Sequence, residues 1–182
     1  MQRLLAAIAA GTLFAAAGAA NAADISVSIG AELQTHARAY GDSELALLRK
    51  ELTESVQRAL AKTGAAPVQR VDLVIESATP NRPTFNEMGA EPGLSLSSVG
   101  LGGAAVTGTV TGPDGTARPI SFRRHETDFH RVTAYSTWTD AEMAFDSLAS
   151  AIAHGEAPNV GPYRPDLHAD AAFDDLGRLR SR

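Results

Sequence analysis

Not one cysteine occurs in the 182 residues, and the absence matters because of how the chain opens. Met1-Gln2-Arg3 is a short positive start, and residues 4–20 are an unbroken run of Leu, Ile, Phe, Ala and Gly with Thr12 as its single polar member. Ala20-Asn21-Ala22 closes the run with small residues on either side of a polar one. This three-part order is what a signal peptidase reads. The run of about 17 residues is alanine-rich, shorter than the roughly 20 strongly apolar residues of a stable membrane span, and no basic flank follows it. An exported chain without thiols gains nothing from disulfides, so burial of apolar side chains must hold it together. Missing cysteines also exclude a thiol nucleophile, Cys-ligated zinc or iron–sulfur sites, and the diacyl anchor of a lipoprotein, which needs a lipid-bearing cysteine.

Residues 1–23 are therefore expected to be a cleaved signal peptide, with processing after Ala22 or Ala23 and a periplasmic or secreted product. About 160 residues remain, enough for one core. Losing the leader removes Arg3 and no acid, moving the formal net charge from −5 to −6. A mildly acidic chain whose basic residues are interleaved with acids or confined to the end is not built for nucleic acid. With the leader gone no stable membrane span is left.

Ile25, Val27 and Ile29 alternate with Ser26 and Ser28, the mark of a half-buried strand. Over residues 43–63, Leu45, Leu48, Leu52, Val56, Ala59 and Leu60 recur at three- and four-residue steps opposite Arg49, Lys50, Glu51, Glu54 and Arg58. That spacing predicts an amphipathic helix, started by Asp42 or Ser43 and stopped by Gly64. Val71, Leu73 and Ile75 predict a second strand that ends before Pro80. Residues 79–93, with Pro80, Pro83, Pro92, Asn81, Asn86 and Gly89, read as a long irregular loop.

Beyond it, residues 94–101 read as an exposed strand and Gly100 to Gly103 as a glycine bulge or bend. The stretch from Ala104 to Phe122 then reads as a hairpin turning at Asp114-Gly115. Residues 132–138 predict a further strand. Thr139 and Glu142 fit a capping box for a second amphipathic helix bearing Ala141, Phe145, Leu148 and Ile152, which stops at Gly155. Residues 156–182, with three prolines and little periodicity, predict a mostly disordered tail with one short helix at residues 171–179. The expectation is a single α+β domain over residues 24–155. It has a mainly antiparallel sheet and two helices on one face, in the order β-α-β-loop-β-β-(β)-α.

Few residues invite chemistry. Gly100-Leu101-Gly102-Gly103-Ala104-Ala105 has dinucleotide-fingerprint spacing, but a strand-like sequence follows where a helix N-terminus is required. No cofactor is implied. Glu126, Asp128 and His130 would share one face if the strand ran through them, a carboxylate and imidazole set suited to a divalent metal, with adjoining His125. Asp166, His168 and Asp170 repeat that spacing in the tail. No G-x-S-x-G, S-x-x-K or H-E-x-x-H occurs, so Ser95, Ser97 and Ser98 read as strand residues, and the balance favours a non-enzyme over an unrecognised hydrolase. Phe122, Phe129, Tyr135 and Trp138 cluster in sequence and are expected under the second helix. The recognition surface is expected on the loop, at Pro80, Asn81, Arg82, Pro83, Phe85 and Asn86, and on the threonine face of Thr107 and Thr109, beside a sheet edge able to take a partner strand.

The strand at residues 25–29 with the helix at 43–63, the strand at 71–77, the hairpin at 108–122 and the helix at 139–154 cover about 130 residues. Their order resembles that of small α+β modules in bacterial cell-envelope proteins. Examples are domains of unknown function in outer-membrane lipoproteins and the periplasmic domain of the curli secretion lipoprotein. The resemblance implies a non-enzymatic module that binds an envelope protein or other envelope component, or assembles. Lack of a lipid-bearing cysteine departs from that pattern and speaks against membrane anchoring and pore-type assembly. The alternative expectation is a metal-dependent binding protein or hydrolase using Glu126, Asp128 and His130.

Overall fold

The computed structural model describes residues 23–62, 64–131 and 135–161. Strand β1 (Asp24–Ile29) is followed by short helices α1 (Ala31–Thr35) and α2 (Ala37–Tyr40), then by the long helix α3 (Asp42–Leu60) and strand β2 (Arg70–Thr79). Helix α4 (Phe85–Ala90), strands β3 (Gly103–Thr111) and β4 (Ala117–His125), a 3-10 turn at Phe129–Arg131 and helix α5 (Thr139–Ala153) complete the order.

The four strands form one sheet in the order β1-β2-β3-β4. The β1–β2 pair is parallel and the other two pairs are antiparallel, so the sheet is mainly but not purely antiparallel. A parallel pair needs a long crossover, and α1 to α3 supply it.

Period-2 alternation sends Val71, Leu73, Ile75, Val106, Val110 and Ile120 to one side of the sheet, where α3 and α5 lie. Leu45, Leu48, Leu52 and Val56 of α3 and Ala144, Phe145, Leu148 and Ile152 of α5 close the core. Each large side chain buried there contributes about 1.5–3 kcal/mol. A polar clasp joins the two helices: the Ser55 hydroxyl donates to Asp146 Oδ1 at 2.7 Å, and Arg58 Nη2 donates to Ser55 Oγ at 2.9 Å. Glu54 and Arg58, four residues apart on the polar face of α3, pair at 3.8 Å but are exposed, a contact worth a few tenths of a kcal/mol.

Several local expectations change. Neither Asp42 nor Ser43 caps α3; the cap position is Gly41, and Asp42 and Glu44 place negative charge in the first turn, where the helix dipole favours it. The helix ends at Leu60, with Ala61 as its C-terminal cap, rather than at Gly64. Residues 94–101 form turns and irregular chain, not a strand. Both sides of β3, the strand this run leads into, are already taken by β2 and β4, so the run cannot pair there. The bulge lies in β2, between Ile75 and Ser77, not in the glycines.

Thr139 does not cap α5 either. Its hydroxyl accepts from the Ser136 amide at 2.8 Å, and Glu142 Oε1 accepts from the Ser136 hydroxyl at 2.9 Å, so the pair braces the preceding turn. Of the strand expected at residues 132–138, residues 132–134 lie outside the described residues and residues 135–138 are bend and turn. The expected signal segment before Ala23, Thr63, and the expected helix and acid–histidine repeat at residues 166–179 also lie outside them.

The β3–β4 hairpin is present, with Gly112 to Thr116 as its connection. Asp114 accepts from the Thr116 amide at 3.0 Å and hydroxyl at 2.7 Å, bonds that hold its carboxyl below the usual range. Residues 156–161 return along the outer edge of β4. Ser121 N–H donates to Pro158 O and Val160 N–H donates to Ser121 O, each at 2.9 Å.

Candidate functional site

The chain between β2 and β3 is the largest excursion from the sheet, and a buried polar network roots it. Asn81, 1% exposed, donates from Nδ2 to Asp140 Oδ2 at 2.6 Å and to Gly100 O at 3.2 Å, and its Oδ1 accepts from the Asp140 amide at 2.8 Å. Asp140 Oδ2 also accepts from Gly102 N–H at 3.0 Å. The Asn81 backbone is used as well, donating to Thr137 O at 2.7 Å and accepting from Gly100 N–H at 2.9 Å. Both ends of the excursion are thus tied to the first turn of α5, where the Asp140 carboxylate also meets the positive end of the helix. A Cβ at Gly102 would stand 2.6 Å from Asn81 Oδ1, so only glycine lets the loop return that close.

Within the excursion, Thr84 and Glu87 form the capping box that starts α4, with Glu87 N–H donating to Thr84 Oγ1 at 3.2 Å and Thr84 N–H donating to Glu87 Oε2 at 2.8 Å. The loop is therefore not wholly irregular. Arg82 donates to the Leu96 carbonyl, linking its two limbs. Phe85 (77%), Leu94 (40%), Leu96 (57%) and Val99 (43%) are exposed, a concentration of apolar side chains that solvent-facing loops seldom carry without a reason.

The expected site residues divide accordingly. Asn81 is consumed as an anchor, Pro80, Arg82 and Pro83 are half-buried, and Phe85 and Asn86 are exposed. Thr107 and Thr109 lie on the sheet face away from the helices, about 13 and 20 Å along β3 from Gly103, so they do not join the loop in one site. The Thr107 hydroxyl donates to Glu76 Oε1 at 2.5 Å. On the same open face Arg70 grips Asp72 with bonds of 2.6 and 2.7 Å and holds its carboxyl below the usual range.

Glu126, Asp128 and His130 do not share a strand face, because β4 ends at His125. Glu126 Oε1 accepts from the Thr127 and Asp128 amides and Asp128 Oδ1 from the His130 amide, which turns the chain out of the sheet. Among the described residues no group of three His, Asp or Glu is arranged to hold a metal ion. The hydroxyls of Ser95, Ser97 and Ser98 bond one another and local backbone. Of the four clustered aromatics, Trp138 is buried and Phe122 packs on the core, whereas Phe129 (64%) and Tyr135 (88%) are exposed.

Sequence reasoning missed an aromatic stack beneath α4. His36 and Tyr40 stack with centroids 5.4 Å apart, Tyr40 meets Trp138 edge-on at 5.4 Å, and Trp138 Nε1 donates to Glu44 Oε2 at 2.7 Å. The four-residue separation of His36 and Tyr40 was the available signal. Burial, aided by Glu87, pushes the Tyr40 phenol up to about 12. In the unfolded chain it ionises near 10, so stability should fall as pH rises from about 10 through about 12. Followed by phenolate absorbance, Tyr40 is expected to give a late ionisation step near 12, and Tyr40→Phe to abolish that late step. A late step surviving the substitution would show the assignment to be wrong.

At the other end of the sheet, a cavity of about 740 Å³ is lined by Ile25, Leu60, Ala61, Pro67, Val68 and Pro113 among others. A shallower trough of about 370 Å³ continues beside β1, between Val27 and Ala46, Arg49, Lys50, Thr53 and Gln57 of α3.

Fold and site define an α+β domain bearing an anchored loop with exposed apolar side chains. No known protein family matches the chain, and no curated protein matches it. Among solved structures, a minor lipoprotein from Acinetobacter baumannii is similar at 14% identity and a TM-score of 0.27, over 72% of this chain and 90% of that one. No described helix is long and apolar enough to cross a membrane.

Proposed function

We propose that this chain is an exported binding module of the bacterial cell envelope that recognises an envelope protein or other envelope component without catalysing a reaction. The leader-like start and the absence of cysteine support the compartment. One observation carries the binding role: the excursion is held at both ends by the Asn81–Asp140 network yet turns Phe85, Leu94, Leu96 and Val99 outward. A loop with a fixed root and apolar tips loses less entropy on binding than a free one, which is how a preorganised recognition element works.

The processed chain and its Phe85→Ser/Leu96→Ser variant, used to capture partners from envelope extract, test this reading. Recovery of a partner bound by the parent should fall about tenfold or more, the loss expected for removing an apolar anchor. Both side chains are exposed, so the melting temperature should hold. Undiminished recovery would remove the loop as the site.

A further inference from the structure

We infer that the outer edge of β1 is the interface for a second copy of this chain, the two β1 strands pairing antiparallel about a two-fold axis at Val27. This rests on sheet geometry and not on the role proposed for the loop.

The ladder fixes which way each β1 peptide group points. Asp24 N–H donates to Gln69 O at 3.0 Å and Gly30 N–H donates to Ile75 O at 2.9 Å. In a parallel pair the residues bonded to the neighbour alternate with those that are not. Asp24, Ser26, Ser28 and Gly30 therefore face β2, while the N–H and C=O groups of Ile25, Val27 and Ile29 point outward. Among the described residues β1 has a strand neighbour on one side only.

The fold treats its two edges differently. The β4 edge is met by Pro158 and Val160 of the same chain and carries Pro119. Between Ile25 and Ile29 the β1 edge has no proline, no lysine and no bulge, the devices that normally keep an edge from pairing.

A two-fold axis at Val27 satisfies both constraints of an antiparallel ladder. Val27 exchanges hydrogen bonds with Val27 of the second copy and Ile25 does so with Ile29, so every outward group between them is used. The same register keeps apolar residues on one face and sets Ser26 opposite Ser28 on the other. Ile25, Val27 and Ile29 are only half-buried in the single chain, and a second copy covers their open flanks. The trough beside Val27 leaves room for the incoming strand under α3. The segment Ile25-Ser26-Val27-Ser28-Ile29 reads the same in both directions about Val27, so the strand that best matches this edge across a two-fold axis is its own copy. An isologous contact of this kind closes at the dimer.

Sedimentation equilibrium of the processed full chain should show a monomer–dimer equilibrium across the micromolar range. Val27→Pro deletes an outward N–H without touching the β2 ladder, a position where proline is tolerated in an edge strand, and should yield a folded monomer. Should that variant fail to fold, cysteine mixing decides alone. Ser26 and Ser28 of opposing copies would be a non-bonded pair with Cα atoms about 4.5 Å apart, inside disulfide range. Since the chain has no other thiol, Ser26→Cys mixed with Ser28→Cys should cross-link on mild oxidation far more than either variant alone. A monomer at every concentration, a dimer that Val27→Pro leaves intact, or a mixture that cross-links no more than its components would overturn the inference. So would a self-association abolished by Phe85→Ser/Leu96→Ser, which leaves β1 untouched.

Discussion

Asp140→Ala is expected to lower the stability of the domain by about 3 kcal/mol, more than its single carboxylate suggests. Asp140 Oδ2 is the acceptor for two donors, Asn81 Nδ2 at 2.6 Å and Gly102 N–H at 3.0 Å. All three residues are buried, with Asn81 1% and Asp140 8% exposed. Removing the oxygen leaves both donors desolvated, and each buried unsatisfied group costs about 1–3 kcal/mol. For a domain of this size the loss corresponds to a melting temperature lower by roughly 10 °C, read by calorimetry.

Asp140→Asn keeps the shape and one acceptor, so it should recover part of the difference. A second readout locates the damage. The network joins both ends of the excursion to α5, so Asp140→Ala should speed proteolysis within residues 82–101 before the core opens, as expected of a locally released segment. A variant that melts like the parent with unchanged cleavage would show that the network is dispensable and that the loop is held by other means.

That network was invisible in the sequence for a physical reason. Asn81 and Asp140 are 59 positions apart, and an asparagine beside two prolines has every local mark of a turn. What was legible depended on repetition within one element. Leu45, Leu48, Leu52 and Val56 announce α3 because a helix brings them to one side. Val71, Leu73 and Ile75 announce β2 because a strand alternates, and Asp114-Gly115 announces the turn because few residue pairs suit it.

Elements too short to repeat were lost. Of α1 and α2 only Leu33 is fully buried, too little to show a period. Helix α4 carries a clear capping box at Thr84 and Glu87, but the flanking Pro83 and Pro92 and its own Gly89 masked the signal. The strand expected at residues 94–101 failed for the opposite reason: its apolar spacing is real, but strand formation is not local. Leu94, Leu96 and Val99 pair with no strand and are left outside, which makes this failed strand the most informative stretch for the proposed binding role. The loop was thus legible as a region; within it Phe85 is exposed, while Asn81 belongs to the support of the loop and not to its surface.

Gly108→Ala is expected to be the other severe substitution, with a loss of about 3 kcal/mol or more, because it combines a forbidden backbone conformation with a clash between strands. Gly108 sits in the middle of β3, paired with Leu73 on one side and Ile120 on the other. Its φ is +154°, and a Cβ there would lie 2.1 Å from Asp72 O and 2.9 Å from Leu73 Cα. Backbone atoms of a central strand cannot step aside as a flexible side chain can. Relief requires β3 to pull away from β2, breaking ladder bonds on both sides of the contact.

Gly115→Ala separates the two contributions. Gly115 also has a positive φ, +79°, but nothing lies within 4 Å of a Cβ placed there. Only the conformational cost of about 1 kcal/mol should then appear. Urea denaturation of the two variants should show Gly108→Ala with the much lower midpoint, and hydrogen exchange should show its extra loss of protection concentrated in β2 and β3. Equal midpoints would mean that the approach of Gly108 to Asp72 relaxes without cost, and that the two strands are held together by their flanking pairs, Val71 with Val110 and Ile75 with Val106.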